Sequence, residues 1–169
     1  MSVEPLPYIY SCTKEAIASL KPGVLEAFAE CAKQYRTKTG QTLEITSAKR
    51  SLRHCAQLMN TFSKEQLEAM YCRNGYPSYI RDIVQARDKM GRQLTDEEAY
   101  QILCNRSEGY ISAHLYGAAI DIASEGLADK AFLMELLAMA GFRTLDETNL
   151  GIRCIHATFS GIAAEIIRE

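Results

Sequence analysis

The 169-residue chain predicts an α+β fold: a small antiparallel sheet flanked by helices, with a helical insertion at about residues 61–109. Three observations lead there. An amphipathic helical stretch runs directly into a short alternating segment. A helix-patterned region with two capping boxes follows. After residue 117 come further β-type runs around one apolar helix. The order helices, strand, helical insertion, strand, helix, hairpin belongs to α+β architecture. The length suits a single domain over 1–169 with a substantial core.

The first ~40 residues read as helical. Pro22 suits a first helical turn. Leu25, Phe28, Ala29, Ala32 and Tyr35 recur on one helix face, which ends near Gly40. Residues Thr42 to Thr46 alternate polar and apolar side chains and are rich in β-branched types, which predicts a strand. In the insertion, Ser63-Lys-Glu-Gln66 and Thr95-Asp-Glu-Glu98 are capping boxes that start helices. Between them, Tyr79, Ile80, Ile83, Val84 and Ala86 predict a third helix stopping by Gly91. Charges over 61–109 nearly balance, seven basic against eight acidic, so the region is not a charged linker. A strand is expected at Ala118 to Ala123, then a helix from about Leu127 to Ala140 capped by Gly141. Phe142 to Leu145 and Ile152 to Thr158 read as a hairpin turning across Thr148 to Gly151. A short helix from about Gly161 would close the chain.

Composition narrows the function classes. Lys plus Arg is 19 against Asp plus Glu 21, a formal charge of -2, so no basic excess points to nucleic acid. No stretch approaches the ~20 apolar residues of a membrane span. The N-terminal MSVEPLPYIYSCTKE lacks the basic start and apolar run of a secretory signal. Cys12, Cys31, Cys55, Cys72, Cys104 and Cys154 are never closer than 17 residues, so they form no CxxC clip. Reduced, mostly buried thiols are expected.

The segment Ser112-Ala-His114-Leu-Tyr-Gly117-Ala-Ala-Ile-Asp121-Ile carries the chemistry. On one straight strand at ~3.3 Å per residue, His114 and Asp121 would stand more than ~20 Å apart. A tight turn at Gly117 brings them together. With His156 from a later strand the set becomes His, Asp, His. Three N/O ligands and an open fourth position make the arrangement of a catalytic zinc site. The bland alternative is a chance His/Asp pair and a hydrogen-bonded core histidine.

The pattern Ser-x-His-x-x-Gly-x-Ala-x-Asp-Ile resembles the signature of the D-alanyl-D-alanine carboxypeptidase family of zinc peptidases. That family shares its fold with lysostaphin-type endopeptidases and the hedgehog signalling domain. Ile45-Thr-Ser-Ala-Lys-Arg50-Ser-x-x-His54 is similar to the family's I-T-S-G-Y-R-S-x-x-H segment. Cys154-Ile-His156-Ala is similar to its final strand histidine, and Ala140-Gly-Phe142 to the helix end before it. The resemblance implies His114, Asp121 and His156 as ligands of Zn2+. It implies that Arg50 holds a substrate carbonyl or carboxylate oxygen, a task suited to a planar, permanently charged fork. A solvated surface charge is the alternative for Arg50. Ser112 would hydrogen-bond substrate or orient the turn. His54 would contact substrate, cap a helix or support a ligand from behind.

The implied function is zinc-dependent hydrolysis of peptidoglycan stem peptides, of D,D-carboxypeptidase or endopeptidase type. A zinc-binding but weakly catalytic relative, acting as a binding or assembly module, is the alternative. A helical structural protein with a fortuitous motif is a third. Cell-wall peptides without a secretory signal imply recycling in the cytoplasm, or release by phage lysis or a dedicated secretion machine.

Peptide hydrolysis needs a proton acceptor, and here the chain departs from the family. Members commonly place Glu or Asp three residues before the last histidine, or His two before it; this chain has Arg153 and Cys154. With a hairpin turning across Asn149 and Leu150, Glu147 falls four strand positions from His156, ~13 Å away. That is too far unless the hairpin is irregular. Glu108, or another carboxylate of the insertion, is the remaining source. Arg50 and His114 are 64 residues apart, so the insertion would form a lid or wall of a cleft, or simply add core. Tyr71, Tyr76, Tyr79, Tyr100, Tyr110 and Tyr116 make this middle region tyrosine-rich, mostly for packing.

Overall fold

A computed structural model describes residues 3–169. The fold is α+β, with seven α-helices among the described residues and a five-stranded sheet. The chain clusters into two compact units, Met1–Lys49 with Tyr116–Ala163, and Arg50–Leu115 with Ala164–Glu169.

The first unit holds the sheet, in the order β1-β2-β3-β5-β4. Its strands are β1 (Tyr8–Tyr10), β2 (Leu43–Ser47), β3 (Ala119–Ala123), β4 (Phe142–Asp146) and β5 (Cys154–Phe159). The sheet is mixed and not wholly antiparallel, because β1 runs parallel to β2. That three-residue strand lies where helix was expected. It is too short to show alternation in sequence, and its pairing with β2 decides its state. Helix α1 (Lys14–Ala18) follows, capped by the Thr13 hydroxyl, and α2 covers Val24–Thr39. Pro22 lies ahead of the α2 N-cap, Gly23, and not in its first turn. The Gly23 N–H instead donates to the Glu26 carboxylate at 2.9 Å.

Helix α2 buries Val24, Phe28, Cys31, Ala32 and Tyr35, one stripe at helical spacing. This stripe packs with Leu133 and Leu137 of α7 (Lys130–Met139) on Leu43, Ile45, Ile120, Ile122, Ile155 and Ala157. Those sheet residues alternate along β2, β3 and β5, so they share one face. Asp121, Cys154, His156 and Thr158 take the positions between them and lie on the other face. One face builds the core and the other carries the polar side chains and the Cys154 thiol.

The second unit contains α3 (Leu52–Thr61), α4 (Lys64–Tyr71), α5 (Ser78–Met90) and α6 (Asp96–Cys104). Both expected capping boxes are formed: Ser63 with Gln66 starts α4, and Thr95 with Glu98 starts α6. Leu52, Met59, Leu67, Ile80, Ile83 and Leu103 make a core of their own, each fully buried. Of the middle tyrosines, Tyr79 packs in this core while Tyr76 and Tyr110 are exposed.

No helix forms after Gly161, contrary to the expectation from sequence. The buried Arg106 guanidinium donates to the carbonyls of Leu103, Gly109 and Ile167. Arg168 donates in turn to the Arg106 carbonyl. Arg106 thus ties the last residues of the chain to the turn after α6, and Ile166 lies over Gly109, where an added Cβ would meet it at 2.6 Å.

Arg106→Ala is therefore expected to release residues 164–169 and cost about 1–3 kcal/mol through unmet carbonyls. Hydrogen exchange of the C-terminal peptide should rise several-fold, and urea denaturation should register the loss. Unchanged exchange in that peptide would mean that Arg106 does not hold the tail.

Candidate metal centre

Asp121 and His156 face each other across the antiparallel pair β3–β5. Asp121 Oδ1 lies 3.0 Å from His156 Nδ1, and His156 Nε2 lies 3.0 Å from Thr158 Oγ1. Thr158 sits two residues beyond His156 on the same strand face, so it sets the imidazole plane. On the opposite side β2 bulges: Ile45 pairs with Ile122, yet Ser47 pairs with Asp121, leaving Thr46 as the additional residue. A bulge locally increases twist and re-aims the strand, here directly beside Asp121.

His114 comes from a 3-10 turn, Ala113–Tyr116. The Ser112 side chain accepts from the His114 N–H at 3.3 Å, and the Ser112 carbonyl accepts from Leu115 at 3.2 Å. Ser112 thus orients the turn, one of the two roles expected of it. Gly117 then takes φ +76, which reverses the chain into β3 as the spacing predicts. The Lys21 N–H donates to the Gly117 carbonyl at 2.9 Å, and an added Cβ would lie 2.7 Å from the Ser19 carbonyl oxygen. His114, Asp121 and His156 each offer a ligand atom, and these atoms lie within 4.8 Å of one another. The cluster can hold a metal ion.

Its donor chemistry fits a divalent cation. With Nε2–H donating to Thr158, the Nδ1 lone pair of His156 points at Asp121 Oδ1, and a cation between them removes the repulsion. With the proton on Nδ1, that N–H donates to Asp121 and the Thr158 hydroxyl donates to Nε2. Metal uptake would favour the first arrangement, with the ring proton on Nε2 and Nδ1 free to face the cation. Two imidazoles and one carboxylate are borderline-hard donors of the kind zinc accepts.

A second cluster shares Asp121. Ligand atoms of Asp121, Glu147 and Cys154 also lie within 4.8 Å of one another, all three residues being buried. Cys154 Sγ donates to Glu147 Oε2 at 3.0 Å. Glu147 is only 8% exposed, and the ~13 Å separation expected from the sequence does not hold. The hairpin is irregular: a 3-10 turn, Glu147–Leu150, closes it with Gly151 at φ +76. This longer loop moves the register by two residues, so Leu145 pairs with His156 and Asp146 with Ile155. Continued one step, the pairing sets Glu147 opposite Cys154, two strand positions from His156, ~6.6 Å along the strand. A turn longer than two residues was the signal in Glu147-Thr-Asn-Leu-Gly151, and Thr158 was legible only as the alternate position after His156.

The Arg50 N–H donates to the His114 carbonyl at 3.0 Å, which joins the two motif segments through the backbone. His54 is exposed in the first turn of α3, where its amide donates to the Ser51 hydroxyl at 3.0 Å. Partial burial, with the Arg50 charge as a smaller cause, holds the His54 ring below its usual pKa. Glu108 is committed elsewhere: its carboxylate accepts from Ser78 N–H at 2.7 Å and Ser78 Oγ at 2.6 Å, capping α5. All six cysteines are thiols. Burial pushes Cys55 up to about 11, so it stays protonated at neutral pH. No helix among the described residues is long and apolar enough to cross a membrane.

Comparisons with protein-family models, curated proteins and solved structures find no match to the chain.

Two outcomes follow from the local geometry. Gly117→Ala places a side chain at positive φ against fixed backbone and should cost about 2–4 kcal/mol in urea denaturation. It should also weaken metal affinity, because the turn sets His114 against Asp121; stability and affinity both at parent values would contradict this. The second concerns Asp146, which pairs with Lys130 at 2.6 Å and caps the Glu147 turn through Thr148. The Lys130 hydrogen bond, and then Thr148, hold its carboxyl at about 2. A depressed folded value stabilises above the unfolded pKa of about 3.9, and the contribution fades as pH falls through about 2. Lys130→Met should therefore be less stable than the parent at pH 5, by less than ~1 kcal/mol because the lysine end of the pair is exposed, with the gap closing towards pH 2. A gap that persists in acid would contradict the assignment.

Proposed function

We propose that this protein is a zinc-dependent peptidase acting on peptidoglycan stem peptides, of D,D-carboxypeptidase or endopeptidase type. The observation that carries the proposal is the Asp121–His156 pair at 3.0 Å on neighbouring strands, with a His114 ligand atom within 4.8 Å. The three residues come from the motifs that resemble the zinc-peptidase signature, and their ligand atoms lie within 4.8 Å of one another. Substrate class and metal identity rest on the resemblance.

His114, Asp121 and His156 would hold the ion, and zinc would lower the pKa of its water and polarise the scissile carbonyl. The chain's own part is orientation and charge. Thr158 holds the His156 ring through Nε2 and would leave Nδ1 to face the ion. Ser112 fixes the turn that carries His114. Arg50 supplies a permanent positive charge for a substrate carboxylate or the developing oxyanion, from a backbone bonded to His114.

Elemental analysis of protein purified without a metal-affinity tag should find about one zinc per chain, and far less in His114→Ala and Asp121→Ala. Muropeptides incubated with the parent should lose a terminal D-residue or a cross-link, read by mass spectrometry, with activity falling at least ~100-fold in both variants. Bound zinc without cleavage would assign the protein to a non-catalytic binding role. A parent that takes up no zinc when it is offered would remove the proposal altogether.

A further inference from the structure

The zinc-peptidase reading leaves one role unfilled, since Arg153 and Cys154 stand where the resembled family supplies its proton acceptor. Four carboxylates are candidates by sequence or position. Glu108 caps α5 through Ser78. Asp146 is bound to Lys130 and to the Thr148 N–H. Asp121 is itself in the ligand set. Glu147 is the fourth, and it is placed differently from the rest.

We infer that Glu147 is the general base of this protein, delivered by the 3-10 turn of the β4–β5 hairpin instead of by β5 itself. The inference rests on the peptidase reading and deepens it. Three observations carry it. Glu147 is buried, although it opens a surface turn. Its carboxylate lies within 4.8 Å of a ligand atom of Asp121, a separation that one water can bridge with a hydrogen bond at each end. The Cys154 thiol donates to Oε2 at 3.0 Å, which fixes how the carboxylate is turned. Cys154 occupies a strand position where the resembled family can carry a histidine. Here that position orients a base supplied from across the hairpin.

Protons and electrons balance through the step. As the water oxygen forms its bond to the scissile carbonyl carbon, the breaking O–H bond gives its proton to the Glu147 carboxylate, and the carbonyl electron pair moves onto oxygen. When the C–N bond then breaks, its electron pair stays on nitrogen. Glu147 returns the proton there and is regenerated as a carboxylate. Acceptor and donor are one group, as general acid–base catalysis in hydrolysis allows.

Glu147→Gln keeps size and hydrogen-bonding capacity while removing basicity. It should retain about one zinc per chain by elemental analysis and the parent melting temperature, while muropeptide cleavage falls ~100- to 10,000-fold. Glu147→Ala should fall as far and regain part of its activity in formate, a small carboxylate that can occupy the vacated space. A Gln variant above about a tenth of parent activity would overturn the inference, because general-base catalysis is worth far more than that. So would zinc well below one per chain, which would make Glu147 a ligand. If the zinc-loaded parent itself cleaves no muropeptide, the peptidase reading fails and the base assignment goes with it. The parent control separates that outcome from the other two.

Discussion

The antiparallel register of β3 and β5 is the constraint on which the rest of the first unit depends. Asp121 Oδ1 and His156 Nδ1 meet at 3.0 Å only because the two strands pair antiparallel with those residues directly opposite. A slip of one residue would turn both side chains into the face that packs on α2 and α7. Ile120, Ile122, Ile155 and Ala157 prevent the slip, since each would then lose its place in the core. Hydrophobic burial thus sets the register, and the register sets the donor geometry. The polar pair depends on that register.

The same register accounts for the second acidic cluster. Two carboxylates and a thiol buried within 4.8 Å of one another cannot all ionise without a compensating charge. The Cys154 thiol keeps its proton and donates it, which satisfies Glu147 Oε2. A cation held by His114, Asp121 and His156 would supply that compensating charge at Asp121. The two clusters share Asp121, with the histidine nitrogens in one and the Glu147 carboxylate and Cys154 thiol in the other.

Much of this was legible in the sequence because local rules decided it. The α2 stripe, the Gly117 reversal and both capping boxes depend on residues within a few positions of one another, and the structure follows them. Elements decided at a distance were not legible. β1 is a strand because β2 is beside it, and nothing in Tyr8-Ile-Tyr10 requires that. The C-terminal segment is held in its non-helical course by Arg106, about sixty residues away, which donates to the Ile167 carbonyl. A two-residue turn would put Glu147 out of reach, while the chain uses a 3-10 turn that moves the pairing by two positions. An antiparallel register couples turn length to everything beyond it. The conformation of four turn residues therefore shifts the nearest carboxylate by about two strand positions.

X-ray absorption at the zinc edge tests the central claim most directly, because the two overlapping clusters differ in a single heavy donor. An ion held by His114, Asp121 and His156 should show only nitrogen and oxygen neighbours at ~2.0–2.2 Å, with the outer-shell scattering of two imidazoles. A sulfur neighbour at ~2.3 Å would place the ion on Cys154. Glu147 would then be a ligand instead of a base, contradicting both the His, Asp, His centre and the base beside it.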